Sequence, residues 1–320
     1  MHREGRAPLP LPAAVQEQFH PPKPTSVTLT ESGQEAHDKF RILRVELTTP
    51  TNQGRTNATI ILSYYQPHRE RSPVILLLPI AGGSRYDVEA LFARHFARRG
   101  FAVVIAHRRK IPHEFELGAI DGWLKQSLRD NRMALDWIET RPELDTNRIA
   151  LFGISMGGIR GVLLTAVDSR IKAATIGLAA GDLPYVLTHS KDRGTIRRRE
   201  AFMRQHNLTP AEMESELRQA ITCDPKTFAA HIDPRKVLLV LARFDRVVPF
   251  EKGWELRTDL GKPDTIVLPT GHYTALLAIP YIERRSLHFF EKRLPAESPG
   301  QNRKVLRSPR DATSRGDASY

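Results

Sequence analysis

Residues 149 to 158 read Ile149-Ala-Leu-Phe-Gly-Ile-Ser155-Met-Gly-Gly158. An apolar run with strand character meets a Gly-x-Ser-x-Gly pattern, and the small residues at 156–166 are typical of a helix. Glycines two positions on either side of the serine allow strand and helix to approach closely around a strained turn. The pattern therefore predicts that Ser155 is exposed at the carboxyl end of a strand. It also places the Met156 amide at a helix N-terminus, which favours an anion.

The chain around this stretch alternates between strand-like and helix-like segments. Two β-prone runs, at residues 41–49 and 58–66, predict an antiparallel pair. Continuous apolar runs then alternate with helical periods, which is typical of βαβ units in a mainly parallel sheet with both faces buried. The predicted buried strands are residues 74–79, 101–106, 149–154, 171–178, 236–242 and 265–268, and the predicted helices are residues 87–99, 128–140, 156–166, 250–260 and 274–293.

Other segments depart from this rhythm. Residues 183–231 are polar, charged and helix-prone, and they predict a helical cap or lid inserted after the sixth strand, over the carboxyl ends of the strands. Residues 1–37 show no helix or strand period and predict a flexible arm, either poorly ordered or lying on the domain surface. Residues 294–320 predict a disordered tail, which leaves residues 38–293 as the folded domain. Loops are predicted around Asp121-Gly-Trp123 and at residues 141–147.

Composition limits the possible functions. The single cysteine, Cys223, excludes an internal disulfide and a multi-cysteine zinc site. The net charge of +12 would suit a polyanion, but the arginines are scattered and no nucleic-acid motif accompanies them. We therefore expect no nucleic-acid partner, and the basic runs at residues 107–110 and 197–199 are interpreted as solvated faces.

Membrane, secretion and metal signals are weak. No run approaches the roughly 18 apolar residues that cross a bilayer, so no membrane span is expected. The proline-rich start does not resemble a secretory signal, which predicts a cytoplasmic protein. His113-Glu114-Phe-Glu116 lacks the second histidine of a zinc motif, so we expect neither a metal nor a cofactor.

Two further motifs lie downstream, Arg243-Phe-Asp245-Arg-Val-Val-Pro249 and Pro269-Thr-Gly-His272. Together with the serine motif they resemble the α/β-hydrolase superfamily, closest to dienelactone-hydrolase-like and acyl-esterase members, over residues 40 to 293. The resemblance implies an α/β-hydrolase fold with a mostly parallel, doubly wound sheet. It also implies that Ser155 is the nucleophile, Asp245 the acid and His272 the base.

The resemblance also locates an oxyanion loop. Ile80-Ala-Gly-Gly83 matches its position, but this segment lacks the His-Gly start that is common there. The oxyanion hole would combine the Met156 amide with a second backbone donor. That second donor stays open between Ile80 and Ala81.

The chemistry requires the same residue types. A serine hydroxyl is a weak nucleophile, so a neighbouring imidazole must take its proton, and a carboxylate must orient that imidazole. A helix and a strand separate Asp245 from His272, which lets both loops end at one rim of the sheet. Simpler roles remain open, because Asp245 can cap the helix after Pro249 and His272 can be a surface loop residue.

The leading hypothesis is a serine hydrolase that cleaves a small-molecule carboxylic ester through an acyl-enzyme. The same three side chains can instead act on a thioester, an amide or a peptide, because a fold does not determine the scissile bond. From a different class, the chain can be a hydrolase-fold protein that binds a ligand or partner without turnover. Neither the ester substrate nor the oligomeric state follows from the sequence.

Overall fold

The structure is a computed structural model that describes residues 7–31, 38–49, 58–82, 85–112 and 117–296. Its strands are β1 Ser26–Glu31, β2 Phe40–Thr49, β3 Ala58–Pro67, β4 Ser72–Leu78, β5 Ala102–Ala106, β6 Leu144–Ile154, β7 Ile171–Gly177, β8 Val237–Ala242 and β9 Asp264–Leu268. These described strands form one nine-stranded sheet in the order β1-β2-β3-β5-β4-β6-β7-β8-β9.

The sheet has an antiparallel edge and a parallel centre. Strands β1, β2 and β3 pair antiparallel, and β3 pairs antiparallel with β5. From β5 through β9 every pairing is parallel. Strands β4, β5 and β8 are buried along their whole length, as continuous apolar runs predict for strands covered on both faces. The predicted antiparallel pair and mainly parallel sheet are confirmed.

Helices cover both faces of the sheet. The described helices are α1 Ala13–Glu17, α2 Asp87–Ala97, α3 Ala119–Glu139, α4 Met156–Val167, α5 Leu183–His189, α6 Arg193–His206, α7 Pro210–Ala220, α8 Pro225–Phe228, α9 Phe250–Asp259 and α10 Ile279–Arg293. Side chains of α3, α4 and α9 share one apolar cluster with the sheet. Those of α2 and α10 share the other, where Phe96 packs against Phe152 and Phe290. This doubly wound arrangement confirms the predicted fold class.

The N-terminal segment adds structure that the sequence pattern did not predict. Strand β1 lies at the sheet edge within the segment predicted as a flexible arm. Its Val27 and Leu29 alternate like a strand but are 48% and 41% exposed, so backbone pairing with β2 holds it rather than side-chain burial. Phe19, in contrast, is buried against Phe228.

The helical insertion follows the seventh strand, and not the sixth as predicted. The count differs by one because β1 precedes the strands that were predicted from the sequence.

Two predicted loops are also wrong. Helix α3 begins at Ala119, so Asp121, Gly122 and Trp123 lie in its first turns, after Gly118 with φ +82°. Strand β6 begins at Leu144, within the predicted loop 141–147, and its pairing with β4 shifts register between Pro73 and Val74. Irregular pairing of this kind gives no alternating pattern, which explains why the strand start was not visible in the sequence.

Buried carboxylates hold the inserted helices α5 to α8 to helix α3 and to one another. Asp121 on α3 accepts hydrogen bonds from the amides of Thr222 and Cys223, at 2.8 and 2.7 Å. Asp224 accepts from the amides of Asp182 and Leu183, at 2.9 and 2.6 Å. Cys223, Asp182 and Leu183 are buried residues, so these bonds satisfy N–H groups that would otherwise be buried without a partner.

Two sequence predictions fall outside the described residues: the partial zinc motif at 113–116 and the part of the tail beyond residue 296. In the part of the chain that the structure describes, no helix is both long and apolar enough to span a bilayer.

Candidate active site

Ser155 lies in the tight turn between β6 and α4. Its backbone φ is 57° and ψ is −124°, a strained conformation for a residue with a side chain, and its amide donates to the carbonyl of Gly177 at 2.8 Å. The next residue, Met156, opens α4, so its amide belongs to the first turn, whose N–H groups lack partners within the helix. The turn thus presents a half-buried hydroxyl beside an electropositive helix end.

Glycines are required around this turn because backbones touch there. A Cβ at Gly153 would lie 2.3 Å from the carbonyl oxygen of Gly157. A Cβ at Gly157 would lie 2.1 Å from the carbonyl oxygen of Leu78, at the end of β4. Neither oxygen belongs to a flexible side chain, so no larger residue fits without moving a strand or the helix.

The structure brings Ser155, His272 and Asp245 together. The Ser155 Oγ lies 3.0 Å from His272 Nε2, and His272 Nδ1 lies 2.7 Å from Asp245 Oδ2. The other carboxylate oxygen, Oδ1, accepts from the amides of Val247 and Val248, both at 2.9 Å. Because an ionised carboxylate only accepts, Nδ1 carries the imidazole proton and Nε2 accepts from the serine hydroxyl. The Asp245 side chain does not cap the N-terminus of α9. His272 is not a free surface residue, because both of its ring nitrogens have partners.

The loop after β4 is held by side chains on both sides. The Ile80 amide donates to Glu89 Oε1 at 2.8 Å, and the Pro79 carbonyl accepts from Arg160 at 2.6 Å. The Ala81 carbonyl accepts from Arg108 Nη2 at 2.7 Å and from its Nε at 3.0 Å. Of the two amides considered as the second oxyanion donor, that of Ile80 is therefore already bound to Glu89.

Two of the side chains that bind this loop, Arg160 and Glu89, are charged and buried. Arg160 is 1% exposed, and burial together with the charge of Arg108 lowers its pKa to about 10, so it stays protonated at neutral pH. Glu89 is 3% exposed, and burial raises the pKa of its carboxyl, while the Ile80 amide and the charges of Arg108 and Arg160 act in the opposite direction. The guanidinium of Arg160 also lies over the Trp123 ring at 5.5 Å.

Sequence reasoning missed these residues. The run at 107–110 was interpreted as a solvated face, but Arg108 binds the Ala81 carbonyl and Arg109 forms a bidentate pair with Asp130. For Arg160 a signal was present, because it is a lone charge within the otherwise apolar helix α4. Glu89 carried no comparable signal, since a carboxylate in the first turn of a helix is common.

A cavity of about 840 Å³ lies over Ser155 and His272. Its walls come from the loops after β4, β5, β6, β7, β8 and β9, from helices α5 and α6 of the insertion, and from side chains of α2, α3, α4 and α10. Loops at the carboxyl ends of parallel strands are where open α/β sheets bind ligands. The hydroxyl, the imidazole and the loop after β4 therefore line the same cavity.

A family model for the dienelactone hydrolase family matches residues 62–178, which include β4, the loop after it and the Ser155 turn. The whole fold is similar to an acetyl xylan esterase from Paenibacillus sp. R4, with 18% identity and a TM-score of 0.65, over 89% of this chain and 100% of the other. The chain has the α/β-hydrolase fold. Over residues 62–178 it resembles the dienelactone hydrolase family.

Other solved structures share the α/β-hydrolase fold at similarly low sequence identity. Acetyl xylan esterase 1 from Thermoanaerobacterium sp. JW/SL YS485 is 16% identical, with a TM-score of 0.55, over 86% of this chain and 99% of that one. A cold-adapted esterase from an Arctic intertidal metagenomic library is 19% identical, with a TM-score of 0.53, over 83% and 99%. No curated protein sequence matches the chain.

Proposed function

We propose that this protein is a serine hydrolase that cleaves a carboxylic ester through an acyl-enzyme. The observation that carries the proposal is the hydrogen-bonded chain from Ser155 through His272 to Asp245, with distances of 3.0 and 2.7 Å, in which Ser155 and His272 line a cavity. The match to the dienelactone hydrolase family and the fold shared with esterases support a hydrolase.

In the proposed reaction Ser155 Oγ attacks the ester carbonyl while His272 Nε2 takes the hydroxyl proton. The C–O bond of the ester then breaks, and the imidazolium gives its proton to the leaving alcohol. Water repeats the two steps on the acyl-enzyme and releases the acid. Asp245 stabilises the imidazolium and holds its tautomer.

We assign the oxyanion hole to the amides of Met156 and Ala81. Met156 follows the nucleophile at the start of α4, where the helix dipole favours negative charge. Glu89 binds the Ile80 amide, which leaves Ala81 as the donor from the loop after β4. Each such donor contributes on the order of 10²- to 10³-fold in rate.

The test compares the wild type with Ser155→Ala on 4-nitrophenyl butyrate. We expect the variant to lose at least about 10³-fold in kcat, because the nucleophile is gone. Ser190→Ala is the matched control, since Ser190 also lines the cavity but its hydroxyl accepts from the Asp192 amide. Mass spectrometry after a fluorophosphonate probe should place the label on Ser155.

The alternatives give different results in the same assay. Faster turnover of a butyryl thioester or a butyryl anilide than of the butyrate ester would replace ester hydrolysis by thioester or amide hydrolysis. Full ester hydrolysis by Ser155→Ala would exclude Ser155 as the nucleophile. Absence of both turnover and labelling would favour a binding protein.

A further inference from the structure

The cavity over Ser155 differs in chemistry between its interior and its rim. The interior wall consists of apolar side chains that are at most 5% exposed, among them Phe92, Leu124, Ile159, Leu178 and Ile282. The charged side chains that line the cavity, Arg108, Lys110, Asp192 and Arg198, lie outside this buried apolar set. A volume of about 840 Å³ lies within the range of pockets that enclose drug-sized ligands, and an acetyl group would fill only a small part of it.

The rim carries charged side chains at the solvent side. Lys110, from the loop after β5, and Arg198, from α6, both line the cavity and are both exposed. Arg198 donates from Nε to the carbonyl of Gly194 at 3.3 Å. Among the described contacts, no side chain accepts a hydrogen bond from its terminal nitrogens. Lys110 and Arg198 lie on separate elements, so the positive charge belongs to the rim and not to one basic run.

The carboxylate at the same rim is already occupied. Asp192 Oδ1 accepts from the Tyr273 hydroxyl at 2.7 Å, and Oδ2 accepts from the amide and hydroxyl of Thr195 at 2.8 and 3.0 Å. These bonds and the charge of Arg198 lower the pKa of Asp192, although burial acts to raise it. Because both oxygens are bound within the protein, Asp192 is poorly placed to bind a cationic substrate.

We propose that the substrate is an ester of an apolar acyl group, longer than acetyl, with an alcohol that carries a negative charge. The inference rests on the proposed serine hydrolase. The acyl chain would enter the apolar interior next to Ser155, where burial of each CH₂ is favourable. The alcohol would then lie toward the rim, where Lys110 and Arg198 attract its carboxylate or phosphate.

The expected size of the charge effect follows from the exposure of the two cations. An exposed ion pair contributes about two- to fivefold in binding, and salt screens it. Two such pairs predict a preference of about tenfold for a charged over a neutral alcohol at low ionic strength. The preference should decrease toward one as the salt concentration approaches 1 M.

The test uses a matched pair of chromogenic esters, 4-nitro-3-(octanoyloxy)benzoic acid and its methyl ester, which differ only in the negative charge on the leaving group. The kcat/KM of each is divided by its rate of alkaline hydrolysis, so that leaving-group reactivity cancels. We expect a corrected ratio of about ten for the wild type. Lys110→Ala and Arg198→Ala should each reduce the ratio about two- to fivefold, because the loss of the cation lowers kcat/KM more on the anionic ester than on the neutral methyl ester.

Arg204→Ala is the matched control, because Arg204 is an exposed arginine of the same helix α6 that does not line the cavity. This variant removes the same charge and should keep the wild-type ratio. Equal loss in Arg204→Ala would mean that net charge, and not the rim, determines selectivity, and would overturn the proposal.

Two other results would also overturn it. A wild-type ratio near one, unchanged in Lys110→Ala and Arg198→Ala, would exclude recognition of the anionic alcohol. Faster hydrolysis of the acetyl analogues than of the octanoyl esters would exclude an apolar acyl group. In either case, loss of the remaining hydrolysis in Ser155→Ala would leave the proposed serine hydrolase standing.

Discussion

At the residue scale, Glu89 takes no part in the proposed reaction, but its carboxylate binds one of the two amides that could donate to the oxyanion. Its carboxylate binds the Ile80 amide from one side, while Arg160 binds the Pro79 carbonyl from the other. A buried carboxylate and a buried guanidinium both lose hydration, and each is compensated by a backbone partner and by the opposite charge nearby. The loop after β4 is therefore held at consecutive residues, and we expect Glu89 to act as a positioning residue.

Glu89→Ala should lower kcat on 4-nitrophenyl butyrate by about 10- to 100-fold with little change in KM, because a free Ile80 amide lets the loop shift away from the oxyanion. Glu89→Gln should stay within about threefold of the wild type, since its amide oxygen still accepts from Ile80. Equal losses in both variants would mean that the charge of Glu89, and not its hydrogen bond, is required.

At the element scale, helix α6 of the insertion is connected to the loop that carries His272. Asp192 caps the N-terminus of α6 by accepting from Thr195, and it also accepts from the hydroxyl of Tyr273, the residue after His272. This hydrogen bond, together with burial and the Asp192 charge, raises the pKa of Tyr273 to about 12. Tyr273 therefore stays protonated, and able to donate, throughout the neutral range.

Tyr273→Phe should lower kcat/KM about fivefold, because loss of a partly exposed hydrogen bond to a charged group costs about 1 kcal/mol and loosens both α6 and the His272 loop. The ring contacts of residue 273 are retained in this variant. Tyr281→Phe is the control, since the Tyr281 hydroxyl accepts from Arg285 on the surface of α10. If Tyr273→Phe has wild-type kinetics on both short and long acyl esters, the contact does not position the catalytic loop.

At the scale of the whole molecule, His107 couples folding to pH. It follows β5, and its Nε2 lies 2.8 Å from the Ser63 hydroxyl of β3, while its ring packs on Tyr86 with centroids 4.2 Å apart. Burial, with the charges of Arg44 and Arg108, lowers its pKa from 6.5 to about 4. Between these values the unfolded chain binds a proton that the folded chain does not. The contribution of His107 to stability is thus complete above pH 6.5 and is lost as pH falls toward 4.

Urea unfolding at pH 7.5 and 4.5 measures this contribution. The wild type should lose about 2 kcal/mol more of its free energy of unfolding between these pH values than His107→Gln does, because glutamine keeps a polar contact but does not titrate. Carboxylates and the other histidines titrate in both proteins, so they cancel in the comparison. Equal losses in the two proteins would show that His107 is accessible to protons in the folded state.

Much of this molecule was predictable from local sequence patterns. The apolar runs of β4, β5 and β8 reveal buried parallel strands, because burial on both faces requires apolar residues throughout. The Ser155 turn was equally readable, since the approach of Gly157 to Leu78 excludes any side chain there. Less visible were β1, which backbone pairing holds, and the start of α3, whose Gly122 and Asp121 resemble loop residues.

By itself, then, the sequence determined the strand order along the chain, the serine turn and the residue types of the proposed triad, because each depends on spacing within a short segment. Only the tertiary structure decided what meets across segments. Glu89 binds Ile80, Arg160 binds Pro79, and Lys110 and Arg198 border one cavity from different elements. Such contacts depend on how loops converge at the end of the sheet, and a common carboxylate or arginine carries no local pattern that indicates its distant partner.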